Sequence, residues 1–297
     1  MANGGGGAQV RVFAAAVALQ LIVGRPPGEA ETWLGWAAQQ PQRLRESGSR
    51  EARAAAVAGP ILLGQVARWS SGLGVVVEVA ILAGSFELGE ADRRAARAQG
   101  LLESGQLGSA AAALGSRMGA GTLDEHRVAS AAIAELARQP ESYLAVWFSY
   151  ALMGAPTAAS LALRPVLQSA FGWSTPWLRR WTATQPDSVL GTLTDSSAAA
   201  ATAAVAPLLR GSAEEVLRGM QDSEGGAELA ALAAALDRSL TVDGVVVNPG
   251  APAATAADIR RARRLAWLVT GLLAASSVAL IAASPMLRRL APWVRNG

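Results

Sequence analysis

The chain has 297 residues, 51% of them hydrophobic and only 16% charged, with a mean hydropathy of +0.26, more apolar than an ordinary soluble domain. It contains no Cys, which excludes disulfides and thiolate metal sites, and its one His, His126, is too little for a histidine metal centre or a Ser/His/Asp triad. All 26 basic residues are Arg and the net charge is only +3, so the high isoelectric point is no footprint for DNA or RNA, and no cofactor is expected.

The N-terminal segment, MANGGGGAQ (1–9), is expected to be a mobile tail. Its Gly4 to Gly7 run has no preceding strand and no following Lys, so it is not a phosphate loop. Next comes FAAAVALQLIV, a short apolar helix that crosses or tilts into the membrane and stops at Gly24-Arg25-Pro26-Pro27. Residues 28–54 are polar and Arg-rich with Trp33 and Trp36 at helical spacing, which suits either an amphipathic surface helix or a soluble helical hairpin. Residues 54–66 and 73–86, separated by Arg68-Trp69-Ser70-Ser71-Gly72, read as two short spans or a re-entrant pair.

Residues 88–140 change character. Glu90, Asp92, Arg93 and Arg94 open a charged helical stretch that Gly105, Gly108, Gly115, Gly119 and Gly121 divide into short helices. Within it, Thr122-Leu123-Asp124-Glu125 predicts a capping box, with Thr122 capping and Glu125 reaching back to the free amides. This stretch is expected to be a water-exposed module. Residues 143–173 are apolar again, broken at Gly154-Ala155-Pro156, and Arg164 is their one charge. Residues 192–209 are Ala-rich and suited to packing against other helices. An acidic helical piece follows over 211–240, then a loop over 243–252 with a short Val245-Val246-Val247 run.

The last hydrophobic segment carries the clearest signal. Residues 265–284, LAWLVTGLLAASSVALIAAS, contain no charge, and at 1.5 Å per residue they span about 30 Å, the thickness of a bilayer's hydrocarbon core. Arg260, Arg261, Arg263 and Arg264 precede the run and Arg288 and Arg289 follow it. Trp267, Trp293, Arg264 and Arg288 are thus the expected anchors at the two membrane interfaces. Arginines on both sides leave the orientation open.

Taken in order, these pieces resemble the CobD/CbiB family, the membrane-bound adenosylcobinamide-phosphate synthases of cobalamin biosynthesis, over residues 12–282. The resemblance is carried by Leu19-Gln-Leu-Ile-Val-Gly-Arg-Pro26, the charged hairpin of 90–137 with Gly121-Thr-Leu-Asp-Glu125, Val146-Trp-Phe148, Gly154-Ala-Pro156, Phe171-Gly-Trp173 and Ala254-Thr-Ala-Ala-Asp-Ile-Arg-Arg-Ala262. It implies condensation of a corrinoid carboxylate with an aminopropanol or its phosphate. The polar motifs of that chemistry are replaced here by Met118-Gly-Ala-Gly121, Arg138-Gln139-Pro140, Pro165-Val-Leu-Gln168, Arg179-Arg180 and Asp222-Ser-Glu-Gly-Gly226. Of the motif acids, Asp124 and Glu125 remain.

The expectation is therefore an all-α, multi-pass integral membrane protein of about four to five spans. Membrane helices occupy 10–87, 141–210 and 260–297, and extramembrane helical pieces occupy 88–140 and 211–259. It is a non-catalytic CobD/CbiB-like scaffold or accessory subunit in a bacterial inner membrane. The bilayer and other membrane subunits, or copies of itself, are its partners, and nucleic acid is not. If the chain is instead a divergent synthase, Asp124 and Glu125 lead the candidate carboxylates, followed by Asp195, Glu214 and Glu215. A transporter would use the ionisable residues Arg68, Arg164 and Asp195.

Overall fold

The computed structural model describes residues 6–23, 73–84, 88–115, 123–154, 158, 187–209, 212–221 and 226–290. Of the described residues 82% are α-helical. Trp33, Trp36, Arg68, Thr122, Pro156, Arg164 and Trp293 lie outside them, as do the replaced motifs at 118–121, 165–168 and 179–180 and the Phe171–Trp173 match. Asp195 and Arg288 fall on helices.

The chain divides into two compact units. The first comprises 1–88, 143–190 and 275–297; the second comprises 89–142 and 191–274. In the first unit, α1 (Gly6–Val23) and α2 (Leu73–Gly84) pack together, and Gln20 donates from its side-chain amide to the Ala83 carbonyl. Helix α1 starts at Gly6, inside the expected 1–9 tail: once an apolar helix is nucleated, each added residue gains a backbone bond at little further cost. An aromatic cluster lies at its centre. Phe13 meets Trp147 edge-on at 5.2 Å and stacks on Tyr150 at 6.4 Å, and Tyr143 lies 4.4 Å from Trp147. All four rings are buried.

The second unit holds most of the remaining elements. These are α3 (Glu90–Glu103), α4 (Leu107–Leu114), the first part of α5 (Glu125–Met153) and α6 (Asp187–Val205), with a 3-10 turn over Ala206–Leu209. Then follow α7 (Ala213–Gln221), α8 (Ala227–Leu236), β1 (Leu240–Val242), β2 (Val245–Val247) and the first part of α9 (Ala256–Leu290). Gly105, at φ 73°, turns the chain between α3 and α4, whereas Gly108 sits inside α4 and breaks nothing. Helix α5 runs 29 residues straight through Pro140, so the 140/141 border drawn from composition falls in mid-helix. A proline there removes one ladder bond, and burial of Leu136, Tyr143 and Leu144 around it keeps the helix continuous.

The expected loop over 243–252 begins as a hairpin. Strands β1 and β2 pair antiparallel in the register Leu240↔Val247, Thr241↔Val246 and Val242↔Val245. Asp243 and Gly244 join them at φ 53° and 84°, the left-handed pair of a type I′ turn, whose twist matches that of the strands.

Helix α9 is 35 residues long, and among the described residues it is the one helix long and apolar enough to cross a membrane. Its exposed positions recur at three- and four-residue intervals, so they form one stripe. Up to Arg264 the stripe is basic, with Arg260 and Arg261. Beyond it come Trp267, Leu268, Gly271, Leu272, Ala275, Ser276, Ala279, Ala282 and Ala283, with no charge. The opposite, buried face includes Thr270 and Ser277.

Candidate functional site

Asp124 and Glu125, the two surviving motif acids, stand at the start of α5. Asp124 is the cap: one carboxylate oxygen accepts the Arg127 amide at 2.8 Å, satisfying a donor that the first turn leaves open. Glu125 reaches a distant helix. Its Oε1 accepts the Ala256 amide at 3.0 Å and so caps α9, 131 residues away in sequence. The Thr122 half of the capping box expected at 122–125 lies outside the described residues; among those described, Asp124 caps locally and Glu125 caps at long range. A box-like arrangement does occur at 255–258: Asp258 accepts both the amide of Thr255, at 3.1 Å, and its hydroxyl, at 2.9 Å.

His126 continues the same docking surface. Its Nδ1 accepts the Ala254 amide at 3.1 Å, so the ring proton sits on Nε2, 3.1 Å from the Thr241 hydroxyl. One turn on, Ser130 Oγ accepts the Thr241 amide at 3.1 Å. Glu125, His126 and Ser130 thus hold the hairpin and the start of α9 against the first turns of α5. This cluster satisfies main-chain amides.

Asp258, also buried, takes the Arg238 guanidinium at 2.9 Å. Burial pushes its carboxyl up, but the hydrogen bonds from Arg238 and Thr255 outweigh this and hold it below the usual range. Glu214 and Glu215 are exposed on α7. Glu214 bonds Arg218 at 2.7 Å, and the Glu215 amide donates to the Ser212 cap. Among the described residues no three His, Asp or Glu side chains stand together as a metal site would require.

A different constellation lies where α9 turns from basic to apolar. Asp92 of α3 takes Arg263 through two bonds, Nε to Oδ1 at 2.7 Å and Nη2 to Oδ2 at 3.1 Å, the fork geometry that holds a guanidinium most firmly. Arg260 reaches Glu103 at the far end of α3 at 2.9 Å. The Glu103 carboxyl also accepts the Gln99 amide, and that bond first, with Arg260 adding to it, keeps the carboxyl below the usual range against desolvation. At the other end of α3, Gly89 takes φ 84°, and a Cβ there would meet the Trp267 ring at 3.6 Å.

Asp92, Arg260, Arg263, Arg264, Trp267 and Leu268 line an open groove of about 560 Å³. Arg264 is exposed and has no carboxylate partner among the described residues, and Trp267 and Leu268 are 38% and 41% exposed. Trp267 and Arg264, two of the expected interface anchors, therefore meet in one groove, while Trp293 lies outside the described residues. Asp92 was not legible as a site residue, because its partner is 171 positions away.

Comparison with known protein families, characterised proteins and solved structures gives no match to this chain.

Proposed function

We propose that this chain is a non-catalytic, multi-pass membrane protein that serves as a scaffold or accessory subunit of a membrane complex. One observation carries the reading: the exposed face of α9 bears no charge from Trp267 to Ala283, directly after a collar of exposed arginines. A core helix of a soluble protein is mostly buried, whereas only 39% of this apolar window is buried. Such an apolar face in water would be a large aggregation-prone patch; against acyl chains it is an ordinary lipid-facing surface. Helices α1 and α2, with Leu19, Leu21, Val75 and Val76 exposed, supply further apolar surface for the same environment.

The order of apolar and polar segments suits a CobD/CbiB-like scaffold of about four to five spans in a bacterial inner membrane. The non-catalytic part rests on Asp124 and Glu125, whose carboxylates are engaged with the Arg127 and Ala256 amides. A divergent synthase would need them free for substrate or metal.

The test begins with an alkaline carbonate wash of native membranes, in which the chain is expected to stay in the pellet. After extraction in mild detergent, light scattering should give a protein mass well above the 30.4 kDa monomer. A lone monomer would overturn the scaffold reading. Restored cobalamin synthesis in a strain lacking the synthase would overturn the non-catalytic one.

A further inference from the structure

We infer that the groove at the basic end of α9 binds the phosphate headgroup of an acidic phospholipid, with an acyl chain lying along Leu268 and Leu272. The inference deepens the membrane reading above and rests on it.

Charge is the first argument. Three arginines and one carboxylate line the groove, and that carboxylate, Asp92, already has both oxygens on Arg263. Arg264 has no acid partner among the described residues, and Arg260 shares an exposed Glu103 that Gln99 also engages. The groove is therefore left with positive charge to neutralise, and its guanidinium donors match the geometry of phosphate oxygens. The Asp92 fork holds Arg263 in place, so part of the conformational cost of binding is met before the ligand arrives.

The apolar floor is the second argument. Trp267 and Leu268 line the same groove, and Leu272, 38% exposed, follows one turn further along the uncharged stripe. A free phosphate would use the arginines and leave this floor wet. An apolar helix would use the floor and leave Arg264 unneutralised. A phospholipid has its anionic headgroup and its chains in the same order along α9 as the basic and apolar surfaces. The indole of Trp267 lies between the two, the position such rings favour at a membrane interface.

The experiment uses the full-length protein in detergent, supplied with equal amounts of dioleoyl phosphatidylglycerol and dioleoyl phosphatidylcholine, with retained lipid read by native mass spectrometry. The wild type is expected to retain the acidic lipid over the neutral one by roughly fivefold or more, the effect of one arginine near an anionic headgroup. Arg264→Glu should abolish the preference and Arg264→Lys should keep most of it. Both change an exposed side chain, and unchanged circular dichroism would show that the fold is intact. Equal retention of the two lipids by the wild type, or an undiminished preference in R264E, overturns the inference. Release of the acidic lipid by millimolar inorganic phosphate overturns it too, by making the groove a soluble-phosphate site. Loss of the protein from membranes in the carbonate wash would instead sink the membrane reading itself. A chain that stays in the membrane without lipid preference sinks only the headgroup assignment.

Discussion

The two units are held together by different chemistry. In the first, Phe13, Tyr143, Trp147 and Tyr150 interlock through ring faces and edges. In the second, Asp92, Glu125, His126, Asp258 and their arginine and main-chain partners bind helices that are far apart in sequence. Ring contacts rest largely on dispersion, which persists when the surroundings are lipid and no water is expelled. Charged forks and amide-capping carboxylates need desolvation offset bond by bond. Each of the two chemistries can be attacked separately.

The largest expected effect is on the aromatic side. Trp147→Ala should cost about 3–5 kcal/mol, read as a lower thermal midpoint in detergent, and Trp147→Phe should retain more than half of the lost stability. On the polar side, Asp92→Ala leaves Arg263, itself 30% exposed, without its fork. Discounted for that exposure, the expected loss is about 1–2 kcal/mol, and a double-mutant cycle with Arg263→Ala should return most of it as coupling.

Asp258 provides a pH test with a definite sign. Its carboxyl is held below the usual range, so its contribution is fully present above the unfolded value of about 4. It is lost as pH falls through the lowered folded value. The thermal midpoint should drop as the solution is acidified below about pH 4, and Asp258→Asn should flatten that drop. A midpoint that rises on acidification would refute the assignment.

Smaller again is Glu125→Ala, at about 1 kcal/mol for a lost helix cap; Glu125→Gln keeps an acceptor for the Ala256 amide and should be nearly neutral in both stability and function. A catalytic Glu125 would make the glutamine variant inactive instead. The smallest effect belongs to Arg218→Ala, since that residue and Glu214 are both well exposed, and less than about 0.5 kcal/mol is expected.

Much of the secondary structure was legible in the sequence, for local reasons. The uncharged run at 265–284 and the FAAAVALQLIV stretch read as helices, and Gly105 marked the turn after α3. The hairpin was missed although its signal was present: Asp243-Gly244 between Thr241-Val242 and Val245-Val246 is a turn pair that accepts two left-handed residues. A second box-like arrangement, at Thr255–Asp258, was not read from the sequence. It carries the same pattern as Thr122–Glu125, a hydroxyl followed three positions on by an acid.

For the site, the arginine collar and Trp267 were readable because charge next to a long apolar run is a one-dimensional feature. Asp92, Glu103 and the docking role of His126 were not, since each depends on a partner more than a hundred residues away. The sequence by itself determined that the chain is mostly helical and where its charge stops along α9, because both follow from short-range composition and periodicity. Only the tertiary structure decided which face of α9 stays exposed, that Asp124 and Glu125 are engaged with backbone amides, and that Asp92 turns a row of arginines into a groove. Those outcomes depend on which segments meet in space, and a run of residue types does not encode that locally.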